Sequence, residues 1–449
     1  MDADAVRGAA AALFVDCFPL VLTDVVRVHH PVGGHHFRLL TDEASALAPG
    51  LDEQDELMVL TSAWVDLTDG PVVVSLPHTA GRFFNLTLID TSGEPFAGLG
   101  TRTGDDAGLN LALVGPRWEG ELPHGVRAKR TPCELLWIVS RIRAHSALDL
   151  AETVAVAKRQ GLAALRGARE MPEPTVSASE PPCPPCLRQV VEMPPTVFFH
   201  RLDAIVERAP AARQKALRPR IAALRAELGG PARAEDWNPE FAAALTGGFA
   251  DAVEAIRSAA TASDAGGWRE LGDGSSAADA DALSRAAQAF ASLGASLRDD
   301  LLGLACDRDD AGLPLSGEQQ YRLHFARSGL PPAHAFWRLF ALPPARGDHR
   351  HGIGDRSDLA PNEDGSLDIV LQRHAPEPTL LSNWLPLPEG RLSLLMRLFS
   401  PAAQALGGSW RMPTPERVPT AGRRAWSSAL PAADPDVGDI STQPDQLGG

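Results

Sequence analysis

The sequence predicts a multidomain, mainly β protein with a helical middle region, and three observations lead to this prediction. At 449 residues the chain is too long for one ordinary hydrophobic core. Short runs of β-branched and aromatic residues, separated by turn signals, occur in both halves of the chain. The region between these halves is rich in alanine, arginine and leucine with helical periodicity.

Residues 1–170 are predicted to form an antiparallel β-sandwich preceded by a helix. The opening stretch MDADAVRGAAAALFVDCF predicts an amphipathic helix with Asp2 or Asp4 near its N-cap. Four strand-like runs follow, and because no helical pattern separates them, an antiparallel sandwich is favoured over a parallel sheet. The runs are MVLTSAWVDL (58–67), PVVVSLPH (71–78), RFFNLTLIDT (82–91) and LNLALVGP (109–116).

The remaining chain divides into four parts by composition. Residues 171–195 are dense in proline, which is excluded from helix interiors, and are predicted to be an extended linker. Residues 196–275 predict a small helical domain, and residues 276–413 predict a second β-sandwich. Residues 414–449 are polar, aperiodic and rich in Pro and Gly, so they are predicted to be disordered.

The charge balance bears on partners and location. The formal net charge is −15, from 57 acidic and 42 basic residues, and no basic block appears, so nucleic acid and membrane surfaces are not expected partners. The sequence contains no window of eighteen consecutive apolar residues, so no membrane span is predicted. The N-terminus lacks the basic region of a secretory signal, and we therefore expect a cytoplasmic protein.

Neither metal nor another cofactor is predicted. The stretch HHPVGGHHF (29–37) holds four histidines, but no nearby spacing supplies a third ligand, and its Pro and Gly residues favour a turn. The five cysteines form no disulfide framework. Cys183 and Cys186 are close together, but two prolines separate them and no second pair exists, so exposed loop thiols are predicted.

The ordered stretches resemble a known family, the paired domains of unknown function numbered 1254 (N-terminal half) and 1214 (C-terminal half). The resemblance covers most of the chain. It rests on FPLVLTDVVR, SAWVDL, PVVVSLP, GRFFNLTLID, GLGTRTG and LVGPRWEGELPHGV, then on YRLHF, LPPAHAFWRL, GIGDRSDL, NEDGSLDIVLQ, NWLPLPEGRLSLLMRLFSP and GSWRMP. It implies a β-sandwich, a helical middle and a jelly-roll-like C-terminal β domain, and implies little about activity. Relatives are rich in tyrosine, whereas Tyr321 is the only tyrosine here.

Candidate binding residues are the polar side chains within otherwise apolar or family-matching stretches. A buried guanidinium requires carboxylate or carbonyl partners, or it faces a ligand. The polar set is Asp24, Arg27, Arg82, Asp90, Arg102, Arg141, His324, Asp355, Arg356, Asn383 and Arg397. The predicted ligand-binding residues are Arg82, Arg102, Arg141, His324, Trp337 and Arg397.

Three hypotheses about function follow. The first is binding of a small anionic or hydroxylated organic ligand between the two β domains, where aromatic residues and arginines would line the pocket. The second is a metal-independent hydrolase or lyase with a carboxylate or His324 as general base. The third is a degenerate family member with a structural or interaction role, which the loss of tyrosines favours. If the arginines converge on a cavity, the ligand-binding and enzyme hypotheses gain support. If they are paired with carboxylates, the structural role gains support.

Overall fold

Two pairs of β-sheets and a group of helices make up the protein. The computed structural model describes residues 2–30, 36–40, 44–51, 55–124, 126–165, 184–227, 239–261, 267–271, 281–343 and 352–418. Helices make up 38% and strands 30% of the structure, and the strands form four sheets. The protein is therefore multidomain and mixed α and β, whereas the sequence pattern predicts a mainly β chain. The difference arises because the first helix and the middle helices are long.

The N-terminal half forms two facing sheets. Its strands are β1 Arg38–Leu40, β2 Met58–Asp66, β3 Val72–Leu76, β4 Phe83–Asp90, β5 Pro95–Gly100, β6 Leu109–Val114, β7 Arg127–Arg130, β8 Leu135–Arg143 and β9 Gly161–Ala164. One sheet has the order β1-β2-β8-β4-β5 and the other β7-β6-β3-β9. The pairings are antiparallel except that β6 and β7 are parallel. Val74, Leu86 and Ile138 belong to the core that the two sheets share.

The C-terminal half is built in the same way. Its strands are β10 Trp268–Leu271, β11 Leu301–Cys306, β12 Tyr321–Phe325, β13 Ala333–Leu342, β14 Gly352–Gly354, β15 Leu367–Gln372, β16 Trp384–Pro386, β17 Ser393–Pro401 and β18 Glu416–Arg417. The sheet orders are β10-β11-β17-β13-β14 and β16-β15-β12-β18, with β15 and β16 parallel. Strand β10 comes from the range predicted to be a helical domain, and β18 from the range predicted to be disordered.

The helices lie mainly between the two halves in sequence. They are α1 Ala3–His29, α2 Ala44–Leu47, α3 Leu150–Lys158, α4 Cys186–Val191, α5 Pro195–Ile205, α6 Ala211–Glu227, α7 Pro239–Thr261, α8 Ala282–Ser292 and α9 Ala403–Leu406. Helix α4 falls inside the range predicted to be a linker. Its first residue, Cys186, is fully buried, and burial raises the pKa of its thiol to about 12, so it is not an exposed loop thiol. Cys183 lies outside the described residues.

Helix α1 is the centre of the helical region rather than an amphipathic leader of the first sandwich. Asp2 caps it by accepting a hydrogen bond from the Ala5 N–H at 2.7 Å. Helices α4 to α8 all pack against it, and Phe14 contacts Phe198 and Phe249 at ring-centroid distances of 4.9 and 4.6 Å. Of the described helices, α1 alone is long and apolar enough to cross a membrane by composition, and 78% of its most apolar window is buried in the fold.

The residues between α8 and β11 join the C-terminal half to the first sandwich. They lie against the sheet β1-β2-β8-β4-β5 so closely that a Cβ at Gly98 would clash with the carboxylate of Asp300. A Cβ at Gly50 would likewise clash with the backbone of Ala295. Glycine therefore permits this connection to lie directly on the N-terminal sheet.

Candidate functional site

Two of the predicted binding arginines have carboxylate partners. Arg82, 6% exposed, donates from Nε and Nη2 to Asp149 at 2.9 and 2.5 Å, and from Nε and Nη1 to Thr153 Oγ1 and Thr79 O at 3.0 Å each. Arg102 Nε donates to Asp300 Oδ1 at 2.5 Å and so links the two halves of the protein. Because both arginines are paired with carboxylates, a structural role is favoured for each of them.

Two further predicted arginines lie on central strands. Arg141, on β8, is 1% exposed. It donates to the carbonyl oxygens of Gly50 and Gly294 at 2.7 and 3.0 Å, and to Ser296 Oγ at 3.2 Å. Arg397 lies on β17, directly opposite Arg338 on β13.

The remaining predicted binding residues, and the single tyrosine, lie in the C-terminal half. The side chain of His324 on β12 is 42% exposed, and its Nδ1 is 2.8 Å from Asp368 Oδ1 on the adjacent strand β15. Trp337 is 5% exposed and belongs to the core between the C-terminal sheets. Tyr321 is 1% exposed, and its hydroxyl oxygen accepts a hydrogen bond from the Ser316 N–H at 3.0 Å.

The six predicted binding residues therefore do not meet in one cavity of the described structure. Trp337 and Arg397 are on neighbouring strands, but their side chains alternate to opposite faces of the sheet, because Arg397 is opposite Arg338. A ligand-binding role for the six stays a prediction.

The histidine-rich stretch is only partly described, since residues 31–35 lie outside the described ranges. His29 Nε2 is 3.0 Å from the Gln189 side-chain oxygen, which anchors the end of α1 to α4. Burial, assisted by the charge of Arg38, lowers the pKa of His30 to about 4. In the part of the chain that the structure describes, no three His, Cys, Asp or Glu side chains are grouped closely enough to hold a metal ion.

A cleft of about 850 Å³ opens where three elements of the fold meet. One wall is the turn between β4 and β5, and the second is the first turn of α6. The third is α8 with the connection that follows it. The residues that contribute polar groups include Asp90, Ser92, Glu94, Arg213 and Arg285.

The β4–β5 turn places Asp90 and Ser92 in this cleft. Asp90 Oδ1 accepts hydrogen bonds from the backbone N–H groups of Ser92 and Glu94, at 2.7 and 3.2 Å. Gly93 has φ +76, and a Cβ there would lie 2.6 Å from Leu293 and 2.8 Å from Thr23. A glycine is therefore required both by the backbone angle and by the close approach. The turn therefore packs closely against α1 and the end of α8.

The arginines on the two helical walls, Arg213 on α6 and Arg285 on α8, both contact a buried aspartate of α1. Asp16 is 7% exposed and lies next to three arginines. Arg213 Nη2 donates to its carbonyl oxygen at 2.8 Å, Arg285 Nη2 donates to its Oδ1 at 3.3 Å, and Arg220 forms an ion pair with its Oδ2. Arg285 Nε also lies 3.7 Å from Glu94 Oε1, which connects this wall to the turn.

Burial, modified by neighbouring charges, shifts the pKa values of the ionisable groups in the cleft. Burial, with a smaller contribution from the charge of Glu94, raises the pKa of Asp90 to about 7, although two backbone N–H groups and Arg213 act in the other direction. Burial also raises the pKa of Glu94, against the opposing effect of Arg213 and Arg285. Burial and the neighbouring Arg213 lower the pKa of Arg285. Asp90 can therefore exchange a proton near neutral pH.

Two polar atoms of the cleft have unmet hydrogen-bonding capacity. Ser92 Oγ and Arg213 Nε are buried, and no hydrogen-bond partner for either is found among the described residues. Buried polar atoms in native proteins are nearly always hydrogen-bonded to protein, water or ligand. A bound polar molecule in the cleft could satisfy both atoms.

Sequence reasoning selected Asp90 but missed the rest of this site. Asp90 was detectable because it ends an apolar strand. Arg213 is one of four arginines in α6 and Arg285 is the only arginine in α8, and no local sequence pattern marks either of them. The run Asp-Thr-Ser-Gly-Glu (90–94) is a signal that could have identified Ser92 and Glu94, since such polar turns often carry function.

The comparisons with known proteins agree with this architecture. A family model described as a protein of unknown function (DUF1254) matches residues 53–163, and a second (DUF1214) matches residues 302–403.

Among solved structures, the chain is similar to the VPA0106 protein from Vibrio parahaemolyticus. The TM-score is 0.65 at 19% identity, over 92% of this chain and 100% of that chain, which shows a shared fold. It also matches an uncharacterized protein from Burkholderia cenocepacia with a TM-score of 0.40 and 11% identity, over 90% of this chain and 87% of that one. No curated protein matches the chain. With one domain in each half, the chain belongs to the family in which domain of unknown function 1254 is paired with domain of unknown function 1214.

Proposed function

We propose that the protein binds a small organic molecule that carries an anionic group and hydroxyl groups. The observation that carries this proposal is the cleft of about 850 Å³ whose buried Ser92 Oγ and Arg213 Nε have no hydrogen-bond partner among the described residues. The volume is within the range of small-molecule sites. The cleft lies between the N-terminal sandwich and helices α6 and α8, so the proposed place differs from the one predicted between the two β domains.

The side chains of the cleft divide the binding into two parts. Arg213 and Arg285 would hold the anionic group by charge-assisted hydrogen bonds, in place of some of their contacts with Asp16. Ser92 and the carboxyl groups of Asp90 and Glu94 would form hydrogen bonds to hydroxyl groups. Apolar lining from Phe96 and Leu293 would cover the carbon skeleton.

The first experiment is native mass spectrometry of the purified protein without added ligand, which detects a co-purified molecule and identifies its class. Titration calorimetry then measures the affinity for hydroxy acids of two variants, each of which lacks one buried hydroxyl that has no hydrogen-bond partner among the described residues. Ser92→Ala should weaken binding about tenfold, the value of one hydrogen bond to a charged or polar ligand group. Ser400→Ala is the matched control, because Ser400 Oγ is also buried and unpartnered among the described residues but does not line the cleft. Equal affinities of both variants would contradict the proposal.

A second candidate function is a metal-independent hydrolase or lyase. The observation favouring it is that the pKa of Asp90 is raised to about 7 beside the arginines of the cleft, which suits a general acid or base at neutral pH. Arg213 would stabilise the negative charge that develops on the substrate. For a ligand that the protein converts, kcat/KM should change with an apparent pKa near 7. Asp90→Asn should abolish turnover but retain binding, because the Asn Oδ1 can still accept both backbone hydrogen bonds.

Three finer points are also proposals. The pair of C-terminal sheets around one core supports a jelly-roll-like description, which the strand connections of an experimental structure would test. The burial of α1 within the fold supports a cytoplasmic location, which fractionation of cells would test. The net charge of −15 supports a protein that binds neither nucleic acid nor anionic membrane. A structural or interaction role would be favoured if no small molecule bound.

A further inference from the structure

A second cavity lies in the C-terminal half and shares no lining residue with the cleft. Its volume is about 670 Å³, which is within the range of small-molecule sites. It is lined by residues 317–321, which lead into β12, by residues 372–377, which end and follow β15, and by Val370, Leu380 and Val418. We call it the sheet-face cavity.

The floor of the sheet-face cavity is the outer face of the sheet β16-β15-β12-β18. Ile369 and Leu371 of β15 belong to the core between the C-terminal sheets. Side chains alternate along a strand, so Val370 and Gln372 project from the opposite, outer face. Val370 is nevertheless only 4% exposed. The segments around it therefore rise above the sheet and leave a recess rather than a flat surface.

The turn that leads into β12 is fixed against a neighbouring turn. The hydroxyl oxygen of Tyr321 accepts a hydrogen bond from the Ser316 N–H at 3.0 Å, and the Gly317 N–H donates to Gly390 O at 2.9 Å. A Cβ at Gly317 would clash with the carbonyl oxygen of Pro388, so a glycine is required by this close approach. The single tyrosine of the chain thus supports one wall of the cavity.

This wall presents a charged acceptor in a fixed position. Glu318 Oε2 accepts a hydrogen bond from the Ser316 hydroxyl, and its Oε1 accepts one from the Gly390 N–H at 3.0 Å. These two hydrogen bonds, that of Ser316 first, lower the pKa of Glu318. The carboxylate is therefore ionised at neutral pH, and each of its oxygens retains a lone pair for a ligand.

The opposite wall is fixed at Gln372. Its carbonyl oxygen accepts hydrogen bonds from the Leu387 N–H at 3.1 Å and from Trp384 Nε1 at 2.8 Å. Its side-chain Nε2 donates to His374 O at 2.7 Å, which holds the amide in one orientation. The amide oxygen remains available as an acceptor.

The other polar groups of the cavity retain their full hydrogen-bonding capacity. Among the described residues, no hydrogen-bond partner is found for the side chains of Gln319, Gln320, His374 and Glu377. Amides and a neutral imidazole both donate and accept, as a hydroxyl group does. Neighbouring hydroxyl groups can therefore match such a lining and replace the solvent on it. The aliphatic Leu380 offers a surface for the C–H groups of the same molecule.

The charges around the cavity exclude the ligand chemistry of the cleft. Two lining residues, Glu318 and Glu377, are acidic, and one, Arg373, is a permanent cation. Arg373 Nη2 already donates to Glu389 Oε2 at 2.7 Å. The lining residues and this partner therefore carry more negative than positive charge, which repels an anion and favours a neutral molecule.

We propose that the sheet-face cavity is a second binding site, which takes a neutral polyhydroxylated molecule of the size of a mono- or disaccharide. Glu318 and Gln372 would accept hydrogen bonds from its hydroxyl groups, and Gln320 and His374 would add donors and acceptors at the rim. The site is independent of the one proposed in the cleft, where arginines would hold an anionic group.

The test is saturation-transfer difference NMR of the full chain with glucose, galactose, mannose, N-acetylglucosamine and maltose, which detects weak binding and gives a dissociation constant by titration. We expect saturable binding of at least one of these sugars, and at least tenfold weaker binding of glucuronate than of glucose. Gln320→Met and His374→Ala should each weaken binding about fivefold to tenfold, the value of one or two hydrogen bonds. His374 is exposed, so its variant keeps the fold even if Gln320→Met does not.

Two control variants locate the bound sugar. Gln404→Met removes an exposed amide of the same domain that does not line the cavity, and it should bind like the wild type. Ser92→Ala changes the cleft and should also leave sugar binding unchanged. The proposal is overturned if no sugar of the panel binds saturably, or if Gln320→Met and His374→Ala retain wild-type affinity. It is equally overturned if only Ser92→Ala loses binding, since the sugar then occupies the cleft.

Discussion

The surroundings of Arg82 and Arg338 differ although both guanidinium groups are largely buried. Arg82 donates four hydrogen bonds, two of them to Asp149. Arg338 Nε has no hydrogen-bond partner among the described residues, and its closest carboxylate contact is 3.9 Å. Both arginines occur in apolar strand-like stretches of the sequence. The comparison teaches that burial of an arginine does not by itself indicate a paired guanidinium, so its partners must be counted as well.

The largest expected effect is at the paired arginine. Arg82→Met should lower the free energy of unfolding by about 3 kcal/mol, because it breaks a largely buried ion pair and leaves Asp149 without its main partner. Urea unfolding at pH 7 measures this change. Arg82 holds the pKa of Asp149 below its usual range, so the stabilisation is present above about pH 4 and lost as the pH falls through the folded-state value. A loss that is independent of pH would contradict the pairing.

The same comparison extends to carboxylates, since the pKa of Asp149 is lowered whereas that of Asp90 is raised to about 7. Between about pH 4 and 7 the folded state keeps the Asp90 proton that the unfolded state releases, so stability falls as the pH rises through this window. Asp90→Asn removes this titration. At pH 5.5 the variant should be more stable than the wild type by about 2 kcal/mol, and nearly equal at pH 4. Unfolding curves at both pH values measure this, and an unchanged pH dependence would contradict it.

The third prediction applies the first substitution to the other arginine. Arg338→Met should raise the free energy of unfolding by about 1 kcal/mol, because it removes a poorly satisfied buried charge. It leaves intact the buried ion pair in which Arg143 Nε donates to Asp55 Oδ2 at 2.6 Å. The measurement is urea unfolding in a chloride buffer, beside Arg82→Met. Destabilisation of similar size in both variants would remove the distinction between the two arginines.

The smallest effect is expected at an exposed pair. Arg7 Nε is 2.6 Å from Asp251 Oδ2, but the two side chains are 51% and 50% exposed. Solvent and salt screen such a pair, so Arg7→Met should leave the unfolding curve unchanged within error. A clear loss would show that the geometry of a pair matters more than its burial.

The sequence predicts the family and strands β2, β3, β4 and β6, because these depend on local patterns. None of the predicted runs includes β8, which is the central strand of its sheet. It predicts the N-terminal helix, but as amphipathic, since the helices that bury its remaining faces come from residues more than 150 positions later. The same limit applies to the sites. Asp90 is detectable in its strand, whereas the pairing of Arg82 with Asp149 and the gathering of Arg213 and Arg285 at Asp16 depend on long-range contacts.

The burial of helix α1 has a consequence for the synthesis of the protein. Its packing partner α7 begins about 210 residues after α1 ends. At the usual elongation rate of about 5–20 residues per second, the ribosome needs about 10–40 s to produce that partner. During this interval the face of α1 that packs against α7 in the folded protein has no native surface to cover it, and it is open to chaperones and to aggregation. Premature termination before α7 should therefore give insoluble fragments rather than a folded N-terminal domain.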